Sequence, residues 1–545
     1  MAGVVLETLS WKKLIALSIV LLICQIGFFL IGGKIAPSPH HVQQLLATKC
    51  IDEHKHGGHN HKHKLFWPRG AGSCTSVSTF EDQKIEEDEI GANQIVFAFQ
   101  FPIPREGKEL KMNKWFQYMI AVLGFEIKYK ENNPMVENAV IDMDSRIAAR
   151  SGNSDWIEIA RSNEQRKLDC HLGEKKENDY YDCNMTAFFE LGSVYYEDYL
   201  VNIRIPVHNN SAKNWGIGKV EDIWMHVIHQ TGGFTQVWFI MKTCVFPVVL
   251  GIMIWYWRRI QQLPRLPNLL EKILFTLGLA LTFLNLPIEW LTLAFNIPFM
   301  SLLSDIRQGI FYSVLMAFWI IFLGEHMLDD YERNRLVMYW KHLSAVILGC
   351  ICLFIFELCE KGVQLANPFY SIWVTDTGTK LGLAFICLAG IAACVYFLFM
   401  LYMLVMVFIN MRRKSTSLLH FSSSRRKYYQ GLIFRFRFLL LVTVFCAALT
   451  VIFFIISQIS EAQWKWGDEG VSLEYTSAFF TGVYGMWNVY VFSLMVLYAP
   501  SHKVITSAGG EDEDEDEDVI HLTPLTSEAS TSSALASLAR KATVD

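Results

Sequence analysis

Residues 232–260 read GGFTQVWFIMKTCVFPVVLGIMIWYWRRI, and this stretch decides the fold. Its central part, 236–257, is mainly apolar, and about 20 such residues in a helix cross the roughly 30 Å hydrocarbon core of a bilayer. Arg258 and Arg259 follow directly, as basic residues do at the cytosolic end of a span. The stretch therefore predicts a membrane-spanning helix that ends in the cytosol.

Seven further segments have the same apolar character, so we expect eight spans and both termini on one side of the membrane. Lys12, Lys13 and the basic connection 412–427 place that side in the cytosol, whereas the loop 459–475 is acidic. The first segment could instead be a cleaved signal peptide, but its apolar run is long for one, which favours an uncleaved anchor. The additional spans are 14–35, 270–294, 304–325, 343–363, 380–410, 433–458 and 476–499.

The composition of the 545 residues agrees with several spans joined to a soluble portion. The chain is 52% hydrophobic and 19% charged, which excludes a disordered chain, a collagen and a small disulfide scaffold. The formal net charge is −5, yet 511–518 alone carry −8. The other residues therefore sum to +3, so the negative net charge comes from the acidic run in the tail 501–545, which we expect to be a disordered cytosolic segment. The short N-terminus 1–13 is also expected in the cytosol.

Residues 37–235 form a soluble insert on the lumenal side, before a seven-span region at 236–500. Their apolar residues alternate with period two, which predicts a β-sandwich or barrel. The apolar run 115–125 could be a buried strand or a segment that touches the bilayer. The predicted strands are 94–101, 137–147, 156–160, 196–206 and 220–228.

The four cysteines of this insert are expected to form two disulfides, Cys50–Cys74 and Cys170–Cys183, because each pair closes a short loop in an oxidising compartment. Asn184 and Asn209 begin glycosylation sequons in the same segment. The histidine-rich stretch 54–63 is interpreted as a polar loop, with pH sensing and metal binding as open alternatives. We predict neither a metal site nor a cofactor.

Charged residues inside the spans demand explanation, because a buried charge in a membrane costs at least ~2.5 kcal/mol. Glu289, Asp305, Arg307, Glu357 and Glu360 are such residues. Each could line a polar cavity or relay, or could pair with another residue to hold the bundle together. For Glu289 and Glu357 the sequence favours neither interpretation.

Enzyme signatures are absent from the sequence: it has no Walker loop, HExxH, GxSxG or dinucleotide fingerprint, so we do not expect an enzyme. The basic cytosolic loop is better explained by topology and by attraction to anionic membrane lipids than by nucleic acid. Within it, Tyr429 and Leu432 have the spacing of a Tyr-x-x-apolar endocytic motif.

Several long stretches of the chain are specific enough to indicate a family. They are GGFTQVWFIMKT (232–243), WYWRRI (255–260), DIRQGIFY (305–312), NPFYSIW (367–373), GLIFRFRF (431–438), SAFFTGVYGMWNVYVF (477–492) and LYAPSHK (497–503). Together they resemble the Wntless family of membrane carriers. The resemblance extends to about residue 503 and implies one N-terminal span, a lumenal lipocalin-like β-sandwich, and seven spans arranged as in G-protein-coupled receptors.

The resemblance also implies a function. Such carriers bind palmitoleoylated Wnt proteins and escort them through the endoplasmic reticulum and Golgi to the plasma membrane. They then return through endosomes with a clathrin adaptor and retromer, which here implicates Tyr429 and Leu432. The acyl chain is implied to enter from the side of spans four and five. The residues expected there are Ile310, Phe311, Val314, Phe354, Phe356, Phe385, Leu388 and Phe454.

Two other functions compete with that of a carrier. A signalling receptor coupled to G proteins is the alternative, but the last span lacks an NPxxY and the Asp-Arg-Tyr triplet is absent. A transporter or membrane acyltransferase would use Glu289 and Glu357, yet no internal repeat or catalytic His–Asn pattern supports it.

Overall fold

The computed structural model describes most of the chain. The described residues are 5–8, 11–52, 66–69, 74–80, 90–103, 111–152, 154–173, 176–207, 213–325, 335–417, 434–435, 437–449, 452 and 476–500. Several predicted features lie outside them, namely the histidine-rich stretch 54–63, Asn209, Tyr429, Leu432, Phe454 and the tail 501–545.

Among the described residues, seven helices are long and apolar enough to cross a membrane. An eighth, described over Arg437–Leu449, is shorter, so the predicted count of eight spans is not confirmed. In chain order the helices are α1 (Trp11–Leu30), α2 (Gly232–Gln261), α3 (Leu269–Asn285), α4 (Met300–Glu325), α5 (Trp340–Glu357), α6 (Asp376–Ser417), α7 (Arg437–Leu449) and α8 (Thr476–Leu497).

Local sequence sets the ends of α3. Before its first turn, the Asn268 N–H donates to the Glu271 carboxylate at 2.8 Å, and Arg265 pairs with the same carboxylate at 2.8 Å. This contact satisfies a backbone donor at the helix start. Pro287 lies just beyond the other end, where it disfavours helical geometry for the residue before it.

Helix α8 is the most buried of the seven candidate spans. Two glycines let α1 lie directly against it: a Cβ at Gly485 would clash with the Phe28 side chain, and one at Gly482 with the Phe29 ring. Any larger residue would push α1 away, since packed interiors leave little room for an added methyl group. α8 also packs against α2 and α3.

The segment between α1 and α2 is a β-sandwich, which confirms the prediction. One sheet has the strand order β1-β12-β5-β10 and the other β3-β2-β4-β11-β6-β7, while β8 pairs with β9. The apolar faces of the two main sheets enclose the core. The strands are β1 (His40–Leu46), β2 (Thr48–Ile51), β3 (Ser76–Val77), β4 (Ile95–Phe101), β5 (Met119–Lys128), β6 (Val140–Arg150), β7 (Ile157–Lys167), β8 (Cys170–His171), β9 (Asp182–Cys183), β10 (Thr186–Leu191), β11 (Asp198–Arg204) and β12 (Lys219–Gln230).

Disulfides join Cys50 to Cys74 and Cys170 to Cys183, the two pairs expected from the sequence. The second bond links β8 to β9, where the two cysteines are paired across the strands. The apolar run 115–125 is mostly strand β5, so its larger part is the buried strand of the two alternatives.

Two short connections fix the sandwich above the helices. Only Thr231 separates β12 from α2, and β1 begins shortly after the helical turn Ile31–Ile35 that extends α1. β1 pairs antiparallel along its full length with residues 224–230 of β12. The sandwich therefore lies against one end of the helix bundle, and we call this end the sandwich side.

Candidate functional site

An aromatic cluster forms the first contact between the sandwich and the helices. The ring of Trp115, just before β5, lies 5.7 Å from Phe239 of α2 and 5.8 Å from Trp290. Phe116 stacks on His229 of β12 at 4.3 Å. The part of the run 115–125 that precedes β5 thus packs against the helix bundle.

A loop from the helical region forms the second contact. Phe369, between α5 and α6, is fully buried in the sandwich core, with its ring 5.3 Å from Phe188 and 6.2 Å from Phe189. The buried Arg166 guanidinium donates to the Phe369 carbonyl at 2.7 Å. The stretch NPFYSIW (367–373) therefore joins the helical region to the sandwich, and we call it the plug.

A cavity of about 250 Å³ lies between these parts. β7, β10 and the segment 192–199 line it from the sandwich, while 296–302 and 361–368 line it from the sandwich side of the helices. Its lining mixes apolar and charged residues, including Ile157, Ile159, Glu190, Tyr196, Lys361 and Leu365.

Two contacts set the relative depth of α4 and α5. Lys361 pairs with Asp305 at 2.5 Å near the cavity, and the Ser313 hydroxyl lies 2.9 Å from the Cys350 sulfur further down. Because the helices are antiparallel, residues between 305 and 313 of α4 face the same level as residues between 350 and 361. The predicted acyl-site residues on these helices fall within or next to this interval.

The predicted acyl-site residues nevertheless point in different directions. Ile310 and Phe354 are 42% and 46% exposed, and Leu388 of α6 is 40% exposed. On α6, Gly382 lies beside Phe356 and Ala392 lies beside Gly349. Leu388 lies between these two positions of α6, so it is at the same depth in the bundle as Ile310 and Phe354. We call Ile310, Phe354 and Leu388 the exposed apolar trio.

The other predicted residues face inward or are half-buried. Phe311 is 1% exposed and packs edge-on against Trp487 of α8, and Val314 contacts the same core. Phe356 lies 6.1 Å from Trp373, and Phe385 is half-buried. Phe311 is thus part of the bundle core.

Buried ion pairs account for the charged residues inside the helices. Glu289 accepts from Lys242 at 2.7 Å and from Arg307, which also donates to the Leu286 carbonyl at 2.8 Å. Lys242 was not predicted as a partner of Glu289, although a lone cation in the stretch 236–257 indicates a partner elsewhere.

Closer to the cavity, Lys361 joins Asp305 and Glu357, and Glu360 accepts from the Ile372 N–H at 2.6 Å. The geometry favours a pairing role for these groups. The sequon residue Asn184 is exposed and donates to Asp169 at 2.8 Å.

His40 is expected to weaken the sandwich in acid. Its half-buried ring lies 2.7 Å from the Tyr118 hydroxyl, and burial lowers the pKa of His40 to about 4. In the unfolded chain this pKa is about 6.5, so the unfolded state binds more protons between pH 6.5 and 4, and stability falls as the pH drops.

Replacing His40 with Gln, which can still bond Tyr118 but does not titrate, should flatten part of this pH dependence. The check is the thermal unfolding midpoint of the whole protein at pH 7.5, 6 and 5. An equal acid-induced decrease in H40Q would show that other groups are responsible.

Comparisons with known proteins agree with this architecture. A family model described as Wntless-like, transmembrane domain, matches residues 231–502. A second, described as Wntless, GOLD domain, matches residues 48–230, where the sequence resemblance implies a lipocalin-like sandwich.

Curated relatives from vertebrates and an insect match nearly the whole chain. The protein wntless homologs of Gallus gallus and Homo sapiens are 50% and 49% identical over 508 residues, which is 92% of each chain. Protein wntless of Drosophila mojavensis is 47% identical over 516 residues, 92% of this chain and 90% of that one. The chain therefore belongs to the Wntless family.

Proposed function

We propose that this protein binds lipid-modified Wnt proteins in the secretory pathway, shields their acyl chain and escorts them to the cell surface. Family membership supports a role in Wnt secretion. The observation that carries the shielding step is the exposed apolar trio, which lies at one depth on three helices, below the cavity beside the sandwich.

The physical need for a carrier follows from the acyl chain. Exposing it to water costs about 0.8 kcal/mol per methylene, or on the order of 10 kcal/mol for a palmitoleoyl group. The lipidated protein would otherwise stay in the membrane or aggregate. An apolar surface on α4, α5 and α6, combined with a sandwich that holds the protein part, meets this need.

The remaining steps concern topology and return. In this proposal the sandwich, within 37–235, lies in the lumen, the region 236–500 spans the membrane, and both termini lie in the cytosol. Tyr429 and Leu432 bind a clathrin adaptor, and retromer returns the carrier through endosomes to the Golgi. Surface-protein uptake assays with Y429A test this part of the cycle.

The alternative of a G-protein-coupled signalling receptor receives no support from the bundle end opposite the sandwich. Leu6 is 1% exposed there, and its carbonyl accepts from Arg435 at 2.9 Å. The Val5 N–H donates to the Ala499 carbonyl at 2.9 Å. The N-terminal segment thus packs against the residues next to the ends of α7 and α8.

Replacing Ile310 and Phe354 together with Ala should lower the amount of acylated Wnt that copurifies with the protein by about tenfold. Both side chains are exposed, so truncation removes apolar contact area with the acyl chain at ~25 cal/mol per Å² without opening a core cavity. Copurification of the unacylated Wnt should not change.

The matched control is Leu348→Ala, which truncates a 44% exposed side chain of α5 outside the interval 350–361. Phe311→Ala is unsuitable, because loss of a buried Phe costs about 3–5 kcal/mol and tests folding instead. Equal losses of acylated and unacylated Wnt, or an equal effect of L348A, would refute the acyl-binding role of these helices.

A further inference from the structure

Strand β7 is an exposed edge of the six-stranded sheet. It runs over 11 residues, Ile157–Lys167, and among the described strands it pairs only with β6. Ile157 is 54% exposed and Ile159 is 37% exposed. A long edge of this kind presents a row of backbone N–H and C=O groups to which another extended chain can pair.

In the four-stranded sheet, by contrast, the edge strand β10 is covered. The carbonyls of Ala187 and Phe188 in β10 accept from Arg166 at 3.0 and 3.3 Å, and the Glu190 N–H donates to the Pro368 carbonyl at 2.9 Å. The protein's own side chain and loop therefore cover β10. The described residues provide no such cover for the first half of β7.

The start of β7 is continuous with the cavity. Ile157, Glu158 and Ile159 belong to its lining, opposite 296–302 and 361–368 at the ends of the helices. An extended chain paired with the start of β7 would thus lie beside the cavity, across from the ends of the helices that carry the predicted acyl site.

The charges around the cavity favour a basic occupant. Glu158 and Glu190 line it, and its single lining ammonium, that of Lys361, is already paired with Asp305 and lies 3.8 Å from Glu357. Among the described residues, the lining therefore holds two carboxylates and one ammonium, and that ammonium is already paired. Opposite charge across an interface steers encounter and fixes register.

We propose that the edge of β7 takes up an extended, basic segment of the cargo protein as an added strand, with one side chain of that segment in the cavity. This inference rests on the proposed function, because it identifies how the protein part of the cargo is held beside its acyl chain. Backbone pairing supplies affinity, and the acidic cavity selects for basic residues.

The test is a variant with Ile157→Lys and Ile159→Lys. Both positions are exposed, so the substitutions leave the core intact, and they oppose a basic segment with two new positive charges. Copurification of the acylated and the unacylated Wnt protein should fall by about tenfold alike, because like charges placed opposite each other are costly.

The matched control is Val140→Lys on β6, a 46% exposed position of the same sheet that pairs with Lys167 at the far end of β7. Binding should be unchanged. Wild-type binding by the double-lysine variant would overturn the edge-strand inference. Different results would refute the proposed function itself: no binding of acylated Wnt by the unaltered protein, or an equal loss of both Wnt forms in I310A/F354A.

A photo-crosslinking residue at position 159 identifies the occupant directly. Crosslinking to the Wnt protein at 159 and none at 140 is the expected result. Crosslinking of position 159 to a second copy of the chain, in place of the Wnt protein, would instead assign the edge to self-association and overturn the inference.

Discussion

Replacing Glu289 with Gln is expected to reduce the amount of protein at the cell surface at least several-fold. The carboxylate is 7% exposed and accepts from two buried cations, Lys242 and Arg307, which are 3% and 0% exposed. Removing one partner of a buried ion pair costs about 3–5 kcal/mol, because the remaining charge stays buried without compensation. Here two cations would lose their partner at once.

The same geometry predicts an asymmetry between the partners. Lys242→Met removes a cation but leaves Glu289 paired with Arg307, so its effect should be much smaller than that of E289Q. Combining K242M with E289Q should recover part of the loss, because one of the two unpaired cations is gone. Neighbours that share a partner are expected to be non-additive in this way.

Surface biotinylation and the thermal unfolding midpoint of the purified protein measure these effects together, since unstable membrane proteins are removed before they reach the surface. Glu137→Gln is the matched control, because Glu137 is an exposed carboxylate in the turn before β6. Normal surface levels and stability for E289Q would show that the cations are satisfied by other groups.

The sequence predicted the elements well because composition and period act locally. Apolar segments of sufficient length indicated the seven helices that, among the described residues, could cross a membrane. The period-two pattern indicated β4, β6, β7, β11 and β12. The disulfides were also predictable, since each closes a short loop. None of these inferences requires knowledge of how distant segments meet.

The candidate site was less predictable, because it depends on helix rotation and on distant partners. Ile310 and Phe311 are adjacent in sequence, yet one is exposed and the other is buried against Trp487. A helix that is apolar on all sides has no polar face that would show which side points outward. Lys242 lies 47 residues from Glu289, so their pairing emerges only once the helices are assembled.

The plug formed by Phe369 was not predicted either, although its stretch was recognised as characteristic. An aromatic residue in a short connection between two helices is typical of a membrane interface. Its burial in a β-sandwich about 180 residues away in sequence, against Phe188 and Phe189, depends on the docking of the two parts.

Replacing Arg166 with Met is expected to loosen this docking. The guanidinium is 2% exposed, pairs with Glu164 at 2.6 Å, and donates to the Ala187, Phe188 and Phe369 carbonyls. The substitution leaves buried carbonyls without donors at about 1–3 kcal/mol each and leaves Glu164 without its cation.

Hydrogen exchange of the full-length protein measures the effect of R166M where it should appear. Because the Phe369 carbonyl accepts from Arg166 at 2.7 Å, amides of the plug at 367–373 and of β10 should exchange at least about tenfold faster, whereas those of α8 should be unaffected. Arg161→Met is the matched control on the same strand. Arg161 is 53% exposed, and its 3.6 Å contact with Asp144 is longer than the contact between Arg166 and Glu164. If R161M and R166M changed exchange equally, the docking would depend on strand charge in general, and the buried guanidinium would have no special part in joining the sandwich to the helices.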